Sequence, residues 1–231
     1  MGLLSFGDLG YGDELLAGTA VTLWLALLSS ALALAFGIAI GIFATGQNLL
    51  RRWLWKSYAS IAMGVPTILY VFFIYYNAPV FLKKSFDLRV DVSPFMAGLA
   101  ALTFVYSAYV AEVVRGAAIN VPRGQWEAAQ VLGLSRFTIW RLVILPQIWR
   151  LSVPGIVNVW MTVLKDTALV SLVGLTDLIR MAEVAAAVSK MPFLFFILAA
   201  MVFVMLSAAT MFGTKHLEAW INRGYARAGD R

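Results

Sequence analysis

The sequence predicts an all-α integral membrane protein with about five transmembrane helices, on three observations. Of 231 residues, 61% are hydrophobic and 13% are charged, where soluble domains carry roughly 45–50% and about 25%. The apolar residues fall in blocks long enough for a bilayer, which takes about 20 residues of helix. Lys and Arg gather between those blocks with a bias that sets an orientation. Mean hydropathy is +0.84.

The expected spans run over about 15–45, 57–82, 92–111, 151–174 and 191–214. The first is uncharged and longer than a bilayer needs, so it tilts or begins as an interfacial helix. Within it Ala33, Gly37 and Gly41 repeat every four residues, and small residues so spaced let helix backbones approach closely. The fourth is interrupted by Lys165 and Asp166. Between the fourth and fifth, the alanine-rich stretch 176–190 reads as a short helix on the outer surface. No internal repeat, low-complexity tract or second soluble domain is visible, so residues 1–231 read as one transmembrane domain. The N-terminus has no Lys or Arg before its first apolar run, a poor match to a secretory signal, so the first span is expected to be retained. Ser5 falls one place short of the myristoylation pattern.

Orientation follows from the loops. Arg51, Arg52 and Lys56 follow the first span; Arg115, Arg123, Arg136, Arg141 and Arg150 fill the third loop; Lys215, Arg223, Arg227 and Arg231 follow the fifth span. The N-terminal tail carries only Asp8, Asp13 and Glu14, and the other two loops mix signs. The expectation is N-terminus outside and C-terminus cytoplasmic. The net charge of +6 is explained this way, and nucleic acid is not expected as a partner. No cysteine is present, which excludes disulfides and thiolate metal sites. With His216 as the single histidine, no metal site is expected. No Ser–His–Asp set and no H-E-x-x-H motif is present, so the chain does not read as an enzyme.

The loop over 116–149 is a polar, basic island. Pro122 stands like the first residue of a helix. Residues 123–132 continue it, and Gly133 ends it, because glycine accepts the left-handed conformation. Ser135 caps a second short helix that bends or ends at Pro146. Trp126, Val131, Leu132, Leu134, Phe137 and Trp140 are many apolar side chains for a solvated loop. They meet a partner or lie among lipid headgroups.

Charges inside a span cost at least about 2.5–3.5 kcal/mol on insertion scales and normally face a bundle interior or a water-filled cavity. Lys165 and Asp166 are therefore candidates for a substrate pathway or gate, against a structural ion pair. Thr167 and Ser171 extend the polar stripe. Glu112 is the other pathway candidate, against an interfacial anchor paired with Arg115 three residues on.

The island carries a family resemblance. Glu127-Ala128-Ala129, Gly133 four residues past Ala129, and Ile144-Leu145-Pro146 with a one-residue contraction resemble the E-A-A-x3-G-x9–10-I-x-L-P loop of permeases of ATP-binding-cassette (ABC) importers. Tyr109 through Gly116, Val121 through Gln125, Lys165 through Leu169, and Gly64-Val65-Pro66-Thr67 (where the family often has R-G-T/V-P) narrow the match to the polar amino acid subfamily. That subfamily includes the histidine, lysine–arginine–ornithine and opine permeases. The likeness extends over nearly the whole chain. It implies a multi-pass permease of the bacterial cell inner membrane, whose island forms coupling helices gripped by a cytoplasmic ATPase. Glu127, Ala128, Ala129, Gly133, Leu134 and Pro146 would make that coupling surface. It also implies two copies of the ATPase, a second permease subunit, identical or homologous, and a periplasmic solute-binding protein, with membrane lipid around the spans. This chain lacks the G-x-x-x-x-G-K-S/T phosphate loop, so ATP and Mg would belong to the ATPase. The contrasting reading is an ion-gradient-driven transporter or channel subunit without an ATPase.

Overall fold

A computed structural model describes residues 5, 10–46, 48–88 and 90–222, with side chains as far as 214. The targeting signals read in residues 1–8, and the side chains of Arg89, Lys215, His216, Arg223, Arg227 and Arg231, lie outside what is described. Among the described residues the chain is helical, without strands. The helices are α1 (Gly12–Ala44), α2 (Leu49–Gly64), α3 (Thr67–Phe72), α4 (Ala78–Phe86), α5 (Pro94–Asn120), α6 (Arg123–Val131), α7 (Arg136–Ile139), α8 (Leu145–Asp166), α9 (Leu178–Ser189) and α10 (Pro192–Asn222). Among the described residues, four helical runs are long and apolar enough to cross a membrane: Gly12–Ala44, Pro94–Asn120, Arg136–Val173 and Pro192–Thr214. There are five if the broken pair Leu49–Gly64 and Thr67–Phe86 is one span.

The boundaries differ from the expected ones for local reasons. The span placed at 57–82 breaks at Val65–Pro66, because proline lacks the N–H and drives the preceding residue out of the helical region. Pro66 itself is extended (φ −55°, ψ 134°) and starts α3. The third span runs nine residues past its expected end at 111, to Asn120. The fourth begins far earlier, because Pro146 does not end the second short helix. Two π-helical turns explain that. Phe73–Asn77 lies two residues before Pro79, and Trp140–Ile144 lies two residues before Pro146. A π turn widens the helix and frees the carbonyl that a proline ring would otherwise strike. The Leu145 N–H reaches five residues back, to the Trp140 carbonyl. The helix therefore absorbs the proline and continues.

The chain packs as two compact units, one formed by Met1–Leu32, Val65–Val105 and Trp160–Thr210, the other by Ala33–Gly64, Tyr106–Val159 and Met211–Arg231. The core of the first gathers Leu178, Ala182, Ala185, Ala186, Phe195 and Ala199, with Tyr11 edge-on to Phe195 at 5.4 Å. Alanines on one face of α9 let it lie close to α10. The 176–190 stretch is thus a helix, as its composition predicts. Its N-cap is Asp177, whose Oδ1 accepts the Arg180 N–H at 3.0 Å. Asp177 packs on α1, where a Cβ at Gly18 would stand 2.8 Å from the Asp177 carbonyl oxygen. Thr22 Oγ1 accepts the Leu178 N–H at 3.2 Å.

The core of the second unit gathers Val110, Val114, Ala117, Val121, Ala129, Ile139, Ile144 and Ile148. Here the small-residue stripe of α1 is a helix contact. A Cβ at Gly37 would lie 2.5 Å from Val110 Cβ, and one at Gly41 would lie 2.8 Å from the Ala111 carbonyl. Tyr58 and Ser107 hydroxyls share a 2.6 Å hydrogen bond between α2 and α5.

Candidate coupling surface

Between α5 and α8 the chain makes an elbow. Pro122 precedes the first turn of α6, and Leu132 ends it. Gly133 then turns left-handed (φ +71°). Its N–H reaches the Gln130 carbonyl at 2.9 Å, and the Leu134 N–H reaches the Ala129 carbonyl at 3.2 Å. This is the paired capping pattern in which a left-handed residue satisfies the last carbonyls, and in which the next residue is apolar and tucks back. Leu134 does so, packing on the core cluster. Ser135 then caps α7, accepting the Thr138 N–H at 3.3 Å.

The inner face of the elbow is fixed. Ala129 is buried against its own core, and Trp126 meets Trp140 edge-on at 5.4 Å. Gln147 Nε2 donates to Gln125 Oε1 at 3.3 Å and to the Val143 carbonyl at 2.8 Å, tying α6 to the root of α8. The outer face is bare. Val131, Leu132 and Phe137 are 87%, 76% and 74% exposed. Glu127 and Ala128 are exposed beside them on α6, and Pro146 is exposed at the start of α8. The apolar residues of the island thus divide: Trp126, Leu134 and Trp140 stabilise the elbow, while Val131, Leu132 and Phe137 face outward. Sequence spacing alone did not separate the two sets. The Gln125–Gln147 tie was also missed, since no local pattern pairs residues 22 apart.

The pathway candidates lie elsewhere. Glu112 is held by Arg115, whose Nε donates to Oε2 at 2.9 Å while a second nitrogen donates to Oε1. That is the anchor pairing weighed for it from the sequence. Lys165 is exposed and Asp166 half-buried at the end of α8. Thr167 and Ser171 do not continue an α-helical stripe, because Thr167–Val173 is a 3-10 helix, in which residues three apart, not four, share a face. Both are buried, and their hydroxyls donate to the Leu164 and Ala168 carbonyls, each at 2.7 Å. Among the described residues no group of three or more His, Cys, Asp or Glu converges as a metal site.

An all-helical chain with several candidate membrane spans and one rigid, outward-facing elbow is the form of a transport subunit, and comparison with known proteins places it. Residues 37–223 match the family described as binding-protein-dependent transport system inner membrane component, and this chain belongs to that family of ABC-importer permeases. It is 35% identical over 232 residues to the nopaline transport system permease protein NocQ of Agrobacterium fabrum, covering 96% of this chain and 97% of that one. It is 32% identical over 221 residues to the arginine ABC transporter permease protein ArtQ of Escherichia coli K12, covering 88% and 93%. A crystal structure of an amino acid ABC transporter with histidines is similar at a TM-score of 0.80 and 27% identity, over 94% of this chain and 98% of that one. The chain is therefore a transport subunit of the inner membrane and not an enzyme. Its family works with ATPase and permease partners, and ATP is used by the ATPase. Family membership also decides against the ion-gradient reading.

Proposed function

We propose that this permease moves polar amino acids or their opine conjugates, and that its elbow is the surface on which the ATPase pushes. The relatives named for nopaline and arginine transport support the solute class. One observation carries the coupling assignment: Glu127 and Ala128 stand exposed beside Val131, Leu132 and Phe137 on an elbow whose opposite face is locked into the core. Glu127 supplies the charge a groove reads, and Ala128 keeps the approach close. Ala129, Gly133, Leu134 and Pro146 act by shaping the elbow. Bare apolar surface around a carboxylate suits a protein partner better than lipid headgroups.

The N-terminus faces outside and the C-terminus faces the cytoplasm, in keeping with the Lys and Arg bias of the loops. Solute arrives from a periplasmic binding protein. Two ATPase copies carrying ATP and Mg flank a pair of permeases, identical or homologous. The chain itself is one transmembrane permease domain. Lys165 and Asp166 line or gate the pathway, and Thr167 and Ser171 hold the 3-10 turn behind them. Glu112 anchors the third span. ATP-driven approach of the ATPases rocks the spans between inward- and outward-facing states.

Glu127→Lys tests this. Membrane insertion should be retained while uptake is lost and the ATPase no longer co-purifies. Uptake at the normal rate overturns the assignment. Ala128→Cys puts a single thiol on a chain without cysteine. A crosslink to the ATPase in the assembled complex is expected, and its consistent absence also refutes the assignment.

A further inference from the structure

Where α1 turns into α2, a cavity of about 550 Å³ is lined by Ala44, Gly46, Arg52, Trp55, Lys56 and Arg115. We propose that it binds the phosphate of an anionic phospholipid. The site stands independently of the transport reading; only the choice of leaflet, the cytoplasmic one, comes from the orientation proposed above.

Three cations meet there. Arg52 and Lys56 make no ion pair among the described residues. Arg115 gives two of its three nitrogens to Glu112. Glu112 balances one of the three charges, and among the described residues no carboxylate pairs with the other two. A guanidinium and an ammonium together suit a phosphate, the first as a planar fork and the second as a point charge.

The surroundings favour a lipid as the source of that phosphate. Arg52, Trp55 and Lys56 stand at three- and four-residue spacing and share one face of α2. The neighbouring face carries Leu49, Leu50, Trp53 and Leu54, which are 79%, 61%, 63% and 44% exposed. Hydrocarbon covers such a stripe and water does not. The same helix thus offers a place for acyl chains beside a place for the headgroup. Trp55 and Trp53 are the residue type that settles at headgroup depth. Basic pockets at this level take anionic lipid headgroups, and a headgroup with its own amine is repelled by the same cations. Arg51 is not part of the pocket. Its guanidinium reaches back over the Phe43 ring at 5.0 Å and covers Gly46.

The test is native mass spectrometry of the complete, delipidated transporter complex, titrated with phosphatidylglycerol, phosphatidylcholine and inorganic phosphate. Phosphatidylglycerol should stay bound at concentrations at least about tenfold below phosphatidylcholine. R52Q/K56Q should weaken it about thirtyfold and R52Q alone about fivefold, as expected for loss of two cations or one near a membrane surface. K84Q, on α4, should change nothing. If the double variant fails to assemble, R52Q gives the same readout. Equal retention of both lipids overturns the proposal. So does displacement of the lipid by equimolar inorganic phosphate, which would make this a free-anion site. Crosslinking of Lys56→Cys to another protein in the complex overturns it as well, since the face would then be a protein contact.

Discussion

Gly133→Ala separates backbone conformation from contact at the elbow. An alanine Cβ there meets nothing within 4 Å, so sterics with neighbours contribute nothing. The whole cost is the left-handed backbone at φ +71°, about 1–2 kcal/mol for a residue carrying a Cβ. That is roughly a 5- to 30-fold shift toward a frayed corner. Two hydrogen bonds report it directly: Gly133 N–H to Gln130 and Leu134 N–H to Ala129. Hydrogen exchange at those two amides, measured in the reconstituted complex, should accelerate by the same factor. ATP hydrolysis should continue with less solute moved per ATP. Asparagine tolerates this conformation better than other side-chain-bearing residues, so Gly133→Asn should recover most of both. Unchanged exchange in Gly133→Ala, or an asparagine variant worse than alanine, would refute the argument.

Three further outcomes follow from packing and charge. Gly37→Ala places a Cβ 2.5 Å from Val110 Cβ and 2.8 Å from the Ser107 carbonyl, so α1 and α5 must separate at about 1–3 kcal/mol. Thermal unfolding in detergent should detect this, and Gly64→Ala in open space should be silent. Asp177 is wholly buried with Oδ2 unpartnered, and burial lifts its pKa to about 6 against partial relief from backbone N–H groups. Because the folded state keeps a proton that the unfolded state releases, stability falls as pH rises from about 4 to about 6 and is flat above. The fall is of order 3 kcal/mol. Protection of the Leu178 amide, taken relative to its intrinsic exchange rate at each pH, should rise on acidification across that window, and Asp177→Asn should abolish that rise. Glu112→Gln breaks a partly exposed pair, worth less than about 1 kcal/mol. Solute KM in transport assays should stay within about twofold, whereas a large rise would restore Glu112 as a substrate contact.

Much of the elbow was legible because its signals are local. Glycine at a helix end, serine before the next helix and proline before the first turn each act within a few residues, so Gly133, Ser135 and Pro122 read correctly. The Glu112–Arg115 pair and the Gly37–Gly41 stripe were legible for the same reason. What failed depended on neighbours distant in sequence or on a choice between helix types. Ala129 reads like Ala128 on paper, yet one faces a core built from α5 and α8 and the other faces out. Pro146 carries the chemistry of a helix stop, and only a π turn upstream let the helix run through. Thr167 and Ser171 kept the predicted hydroxyls but not the predicted face, because the helix tightened beneath them. Asp177 stands in a loop of mixed charge, and only the packing of α1 against the start of α9 buries it.

The π turn at Trp140–Ile144 is also a splice. It holds one residue beyond what an α-helix needs between Ser135 and Asp166. Deleting any one of those five residues would let the rod rewind as regular α-helix, and the ring of Pro146 would then meet the carbonyl four places before it. The rod would kink at its root, with every side chain of the elbow intact. The elbow's tie to the fourth span is therefore stored as a count of residues in the rod, where a scan of the elbow's own side chains would never find it.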